Sequence, residues 1–245
     1  MDEYKRTFTL PTLHATLPYA PSQEIICIGG GRVPETGWLT GLIQRRTMCG
    51  SDAPIWAIDR GVNICRAVNH PPAHLIGDGD SADSTAWTWA KESGAQVHVF
   101  PPEKDFTDTE LALQIAADQY THPLVILTAA FGGRLDHLMS TAAVAAHTDI
   151  PCVLADERET LFYLHVGESL TVTCDTPPRA ISLLPFTEEC TGVTTYGLYW
   201  ELRDACITNR ASLAISNVLA RENTKNTFTV SIRSGVLGVY LCHKE

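Results

Sequence analysis

Ionisable side chains follow short apolar runs again and again in the first half of this 245-residue chain. Asp59-Arg60-Gly61 follows Ile55–Ile58, and Gly77-Asp78-Gly79-Asp80-Ser81 follows His74–Ile76. Lys104-Asp105-Phe106-Thr107-Asp108 follows Gln96–Phe100, and Gly132-Gly133-Arg134-Leu135-Asp136-His137 follows Leu124–Leu127. Charges in or beside a core must be paired or must hold a cation. Asp78 and Asp80, flexed by two glycines, can aim carboxylates at one Mg²⁺, which takes hard oxygen ligands and keeps places for phosphates and water. Arg134 can fork two phosphate oxygens, and the glycines before it let backbone approach an anion near a helix start.

Each feature also has a plainer reading. Asp-x-Asp is common in solvated loops. Thr107-x-x-Glu110 is a capping box, and Asp108 in a first helical turn suits the helix dipole. Asp136 can serve as an N-terminal cap, and His137 can be structural. A rival chemistry is a Mg²⁺-dependent phosphatase of the haloacid-dehalogenase type with Asp78 as nucleophile. Against it, Ala82 stands where that pattern wants Thr or Val, and the motif follows about the third strand. Gly29–Gly31 matches neither G-x-G-x-x-G nor the P-loop and reads as a tight turn that leaves room for a ligand. In the second half, Trp200 reads as core packing or as a flat face for a heterocycle, and Ser216-Asn217 as a turn pair.

The elements that must position these residues follow from hydrophobic period. Ile25–Ile28, Ile55–Ile58, His74–Ile76, Gln96–Phe100, Leu124–Leu127 and Cys152–Leu154 are short and β-branched, as buried strands are. Amphipathic stretches near 38–47, 61–69, 85–93, 107–120 and 135–147 alternate with them and read as helices. That alternation predicts an α/β Rossmann-like domain with a mostly parallel sheet, whose ligands gather at the carboxyl ends of its strands. Beyond Glu159 the chain reads as strands at 161–165, 169–174, 180–184, 212–215, 228–232 and 236–242, separated by Gly and Pro turns. This half predicts an all-β sandwich. The expected domains are 1–158 and 159–245, and the Pro-punctuated N-terminus reads as an extended arm able to add an edge strand.

Lys plus Arg number 18 against 28 Asp plus Glu, a net charge of −10. Without a basic stripe, the chain is a poor binder of nucleic acid. No apolar run approaches a membrane span, and no basic-then-apolar leader opens the chain, so a cytoplasmic protein is expected. The eight cysteines lack C-x-x-C spacing and read as free, mostly buried thiols. G-x-S-x-G and H-E-x-x-H are absent, against an elbow-type serine hydrolase or a zincin.

In their order, Asp59-Arg60-Gly61, Gly77–Ser81, Asp105–Asp108, Gly132–His137, Ser182–Pro185, Thr195–Leu202 and Ser216-Asn217 resemble the thiamine pyrophosphokinase family. Each motif is modest alone; their ordered succession from about Ile55 to Asn217 is specific. The sequence departs from the family's pattern at Arg60, usually Gly, and at Gly79, usually aromatic or apolar. The resemblance implies a catalytic ATP- and Mg²⁺-binding domain, a thiamine-binding sandwich, and a homodimer with active sites at its interface. It implies that pyrophosphate moves from ATP to thiamine, giving thiamine diphosphate and AMP. The implied catalytic carboxylates are Asp78, Asp80, Asp105, Asp108 and Asp136, with Asp78, Asp80 and Asp108 on the metal. ATP would meet Asp59, Lys104, Thr107, Arg134 and His137. Thiamine would meet Trp200, Ser216 and Asn217. The base is left open between Asp108 and Asp136. A non-catalytic thiamine or nucleotide sensor, or another alcohol as acceptor, are the remaining alternatives.

Overall fold

The structure, a computed structural model, describes residues 7–48, 53–100 and 105–244. Two compact units divide it: Ser22–Asp156, and Glu157–Glu245 together with the N-terminal 21 residues.

The chain opens with β1 (Thr7–Leu10) and β2 (Leu13–Thr16), an antiparallel hairpin turned at Pro11-Thr12. The α/β unit follows. Its parallel strands are β3 (Glu24–Ile28), β4 (Ile55–Ile58), β5 (His74–Ile76), β6 (Gln96–His98), β7 (Leu124–Thr128) and β8 (Cys152–Ala155). Between them run α1 (Thr36–Met48), α2 (Gly61–Ala67), α3 (Ser84–Glu92), α4 (Asp108–Gln119) and α5 (Leu135–His147). β4, β7 and β8 are buried at every residue, as parallel strands covered on both faces must be. Spatially the strands run β8-β7-β3-β4-β5-β6. The chain therefore moves one way from β3 to β6, crosses back and restarts at β7 on the other side of β3. That reversal is the switch point at which open α/β sheets bind ligands.

The second unit is β-rich: β9 (Glu159–Leu164), β10 (Ser169–Cys174), β11 (Ala180–Pro185), β12 (Glu189–Tyr196), β13 (Ala205–Thr208), β14 (Thr227–Ser231) and β15 (Leu237–Cys242). One antiparallel set runs β1-β2-β10-β14-β12-β13 and another β11-β15-β9. β10 alternates buried and solvent-side residues, the mark of a strand with one face in a core. Phe8 meets Phe162 edge-on at 6.1 Å within that core, and both are buried.

Three expectations change. The N-terminal arm, expected with the first domain, belongs to the β-rich unit because β2 pairs with β10. Residues 212–215 form turns rather than a strand, with Ala214 held at φ 69°. The expected strand at 96–100 stops at His98. The seven described cysteines are free, five of them buried; Cys49 lies outside the described residues. Among the described residues no helix is long and apolar enough to cross a membrane.

Candidate active site

A cleft of about 540 Å³ opens over the carboxyl ends of the parallel strands. Its floor is made by two loops that zip together at the switch point. Gly29 N–H donates to the Thr128 carbonyl (2.9 Å), Gly31 N–H to the Ala129 carbonyl (2.6 Å) and Arg32 N–H to the Phe131 carbonyl (2.6 Å). The Arg32 side chain then grips the fully buried Asp156 through Nε and Nη2, at 3.0 and 2.6 Å. A buried carboxylate is costly unless paired, so this ion pair fixes the loop after β3. Gly31 has no space for a side chain: a Cβ there would stand 2.6 Å from two carbonyl oxygens.

Carboxylates and cations converge on this floor. Asp59, Arg60, Asp80, Ser81, Thr107, Asp108, Arg134 and His137 all line the cleft. Asp59 follows β4 with φ 47°, a conformation that costs a non-glycine residue about 1 kcal/mol or more and concentrates at functional sites. Gly77 is what lets Asp59 sit there, since a Cβ at that position would lie 1.9 Å from Asp59 Oδ1. Thr107 caps α4, its Oγ1 accepting from Glu110 N–H at 3.2 Å, and this holds Asp108 in the first turn at the cleft.

Sequence reasoning placed Asp59, Asp80, Thr107, Asp108, Arg134 and His137 at one site, and the fold brings them together. Asp78 and Asp105 stand outside the lining. The reason at Asp78 is local: its Oδ1 accepts the Asp80 N–H at 3.0 Å, an Asx turn that directs one carboxylate to the backbone and the other to the cleft. An Asp78 nucleophile, as the phosphatase reading needs, is not favoured by that placement. Asp136 is also outside the lining. Its carboxylate receives Arg134 Nε at 3.1 Å and Nη2 at 2.5 Å, and caps His137 N–H at 3.0 Å. The Arg134 hydrogen bond, first among the causes, holds the Asp136 carboxyl below the usual carboxylate range, and Asp136 in turn raises Arg134. A carboxylate so stabilised is a poor proton acceptor. Lys104 lies outside the described residues.

Residues that sequence reasoning did not assign also line the cleft: Arg60, Ser81, Thr109, Thr128 and Thr141. Gly79, the other departure from the family pattern, lies at φ 78°, and a Cβ there would meet carbons of the Trp87 indole at 3.0 to 3.2 Å. Trp87 thus supplies, from α3, the bulk that the loop itself lacks.

In the β-rich unit Trp200 is 60% exposed and Asn217 5%. Asn217 is spent on backbone: its Nδ2 donates to the Trp200 carbonyl at 2.8 Å, and its Oδ1 accepts from Trp200 N–H at 3.1 Å and Val218 N–H at 2.9 Å. Its structural work is to present the Trp200 loop. Tyr199 packs edge-on to Trp200 at 4.8 Å. Ser216, exposed and at φ 59°, donates its backbone N–H to Ser182 Oγ at 3.0 Å.

The donor set suits a hard cation. Asp59, Asp80 and Asp108 offer oxygen ligands. Among the described residues no three or more His, Cys, Asp or Glu side chains are grouped so that together they could hold a metal ion, so these three carboxylates are not a ready-made site. Mg²⁺ asks for only one or two protein carboxylates, with phosphates and waters completing the shell, a demand that Asp80 or Asp108 at the cleft could meet without a three-residue group.

A cleft of acids and guanidinium groups at the switch point of a parallel sheet, followed by a β-rich unit, defines a nucleotide-phosphate-handling enzyme class. Residues 48–154 match the family model for the catalytic domain of thiamin pyrophosphokinase, and residues 169–237 that for its vitamin B1 binding domain. The two spans together take in most of the chain, which belongs to the thiamine pyrophosphokinase family. It is 28% identical over 203 residues to the thiamine pyrophosphokinase of Bacillus subtilis (strain 168), covering 81% of this chain and 89% of that one. A solved thiamin pyrophosphokinase from Geobacillus thermodenitrificans is 26% identical with a TM-score of 0.72, over 91% of this chain and 99% of that chain. At 14% identity the thiamin pyrophosphokinase from Candida albicans shares the fold, with a TM-score of 0.70 over 90% of this chain and 89% of its own.

Proposed function

We propose that this chain transfers a pyrophosphoryl group from ATP to thiamine, releasing thiamine diphosphate and AMP. The observation that carries this reading is the meeting of Asp59, Asp80 and Asp108 with Arg60 and Arg134 in one strand-end cleft, in a chain of this family. The unit Ser22–Asp156 is assigned the ATP chemistry in a Rossmann-like arrangement, and the β-rich unit, read as a sandwich, is assigned thiamine.

Asp80 and Asp108, with Asp59 beside them, would hold Mg²⁺. When bound, the ion offsets phosphate charge and polarises the phosphoryl oxygens. The chain's own residues do the rest by positioning, as phosphoryl transfer generally requires. Arg134, kept in place by Asp136, and Arg60 face the anionic tail. The thiamine hydroxyl oxygen bonds to the β-phosphorus while the bridge oxygen to the α-phosphorus departs with AMP. Of the two candidate bases, Asp136 is made a weak acceptor by Arg134, and Asp108 would take the hydroxyl proton only when Mg²⁺ is held by Asp80 without it. Trp200 would pack on a thiamine ring, with Asn217 holding the Trp200 loop and Ser216 beside it.

A homodimer whose active sites lie at its interface belongs to the proposal. The exposed aromatic pair Tyr199 and Trp200 supports it as a surface that a ligand or partner would cover. The free cysteines support a reducing, cytoplasmic setting. Incubation with thiamine, ATP and Mg²⁺ tests the reaction. Equal AMP and thiamine diphosphate are expected, whereas ADP with thiamine monophosphate would overturn attack at the β-phosphorus.

A further inference from the structure

The two guanidinium groups of the cleft differ in what they are free to do. Arg134 is neutralised by its two-pronged pair with Asp136. Arg60 is not. Its one hydrogen bond among the described residues runs from Nε to the Gly30 carbonyl, at 2.5 Å. That bond draws the side chain over the Gly30 backbone, where a Cβ would stand 2.8 Å from both Cγ and Nε of Arg60. The glycine is thus the seat of the arginine. The bond uses one of the five guanidinium donors and leaves both Nη groups available. No carboxylate within ion-pair distance of Arg60 exists among the described residues, although Asp59, Asp80 and Asp108 line the same cleft.

An anchored, exposed and uncompensated fork in a cleft of acids is suited to a ligand carrying more negative charge than one divalent cation cancels. A polyphosphate has that charge, and its paired oxygens match a guanidinium fork. We infer that Arg60 is a specificity-determining contact for the polyphosphate tail of ATP, positioned by the Gly30 carbonyl. This rests on the reading of the cleft as the ATP site.

Two variants test it, Arg60→Gln and Gly30→Ala, the second displacing Arg60 by the added methyl. Binding of ATP and of inorganic tripolyphosphate is measured by calorimetry in Mg²⁺ buffer. Kinetics then give KM for ATP and for thiamine. Loss of a charged contact predicts that both variants weaken ATP and tripolyphosphate alike, by about tenfold or more. KM for thiamine and the melting temperature should stay as in the parent, and Arg60→Lys should recover part of the loss. Tripolyphosphate binding by Arg60→Gln within about twofold of the parent, a change well below the worth of a charged hydrogen bond, would overturn the inference. So would an equal loss for thiamine. The calorimetry needs no turnover, so the two readings fail separately. A parent protein that makes no thiamine diphosphate, yet loses tripolyphosphate affinity in Arg60→Gln, sinks the proposed reaction and keeps the role of Arg60. A parent that turns over as proposed while Arg60→Gln binds tripolyphosphate normally sinks the role of Arg60 alone.

Discussion

At the scale of residues, the proposed chemistry depends on which carboxylates face the cleft. Asp80 and Asp108 do, so Asp80→Asn and Asp108→Asn should each lower kcat by about 100-fold, the usual effect of removing one group that stabilises reacting charge. Both are exposed or half-buried, so denaturant midpoints should hardly move. Asp78→Asn keeps the oxygen that accepts the Asp80 N–H and should cost less than Asp80→Asn in the same assay. Equal losses at the two positions would place Asp78 in the cleft. Sequence pattern could nominate both aspartates but could not rank them, because an Asx turn is decided by backbone torsions that two interleaved glycines leave open. Arg60 was visible as a departure from the family pattern. Its value came from a fact only the fold supplies, that Asp136 occupies Arg134 and no acid among the described residues occupies Arg60.

The elements place those residues through backbone proximity. α2 begins against the end of β3, so closely that a Cβ on Gly61 would lie 1.9 Å from the Ile28 carbonyl oxygen. Gly61→Ala should therefore push α2 from the sheet and cost about 1–3 kcal/mol, the range for forced overpacking. A lower urea midpoint at unchanged slope would register it. At the start of α4, Thr107→Ala removes the cap on Glu110 N–H and should cost about 1 kcal/mol. It should also weaken catalysis, because the cap sets Asp108. The parallel strands were legible because each is a nearly unbroken apolar run, and the helices between them because their periods and caps agree. β12 and β13 were not. β12 (ECTGVTTY) carries Thr and Gly192 and bulges against β13 between Cys190 and Val193, so its alternation is broken. The N-terminal hairpin was hidden by its two-residue turn at Pro11-Thr12, in a stretch whose prolines suggested only an extended arm.

For the whole molecule, the part-buried His243 contributes a pH dependence of stability, in the same direction as His74 and His98, which burial also lowers. Burial pushes His243 down from its ordinary value of 6.5 to about 4, while its Nε2 lies 3.0 Å from Thr160 Oγ1. Between those two values the unfolded chain holds a proton that the folded chain does not. Stability then rises with pH across that window, and is lost as pH falls from 6.5 toward 4. A loss on the order of 2 kcal/mol is expected from His243 over this range, and His243→Gln should make the profile shallower. A stability profile as steep in the variant as in the parent would mean that other groups carry the dependence. The acidic composition, with its net charge of −10, is no obstacle to binding a polyanion. Asp59, Asp80 and Asp108 line the cleft together with the guanidinium groups of Arg60 and Arg134, and in the proposed function a cation on the acids offsets their charge.

Attack at ATP's β-phosphorus rather than its γ-phosphorus leaves different products, and their identity decides between the two. Purified protein is incubated with thiamine, Mg²⁺ and ATP labelled at the γ-phosphate, and the products are separated by chromatography. Attack at the β-phosphorus gives unlabelled AMP and an equal amount of thiamine diphosphate carrying the label. Labelled thiamine monophosphate with ADP, or labelled inorganic phosphate released without thiamine, would contradict it.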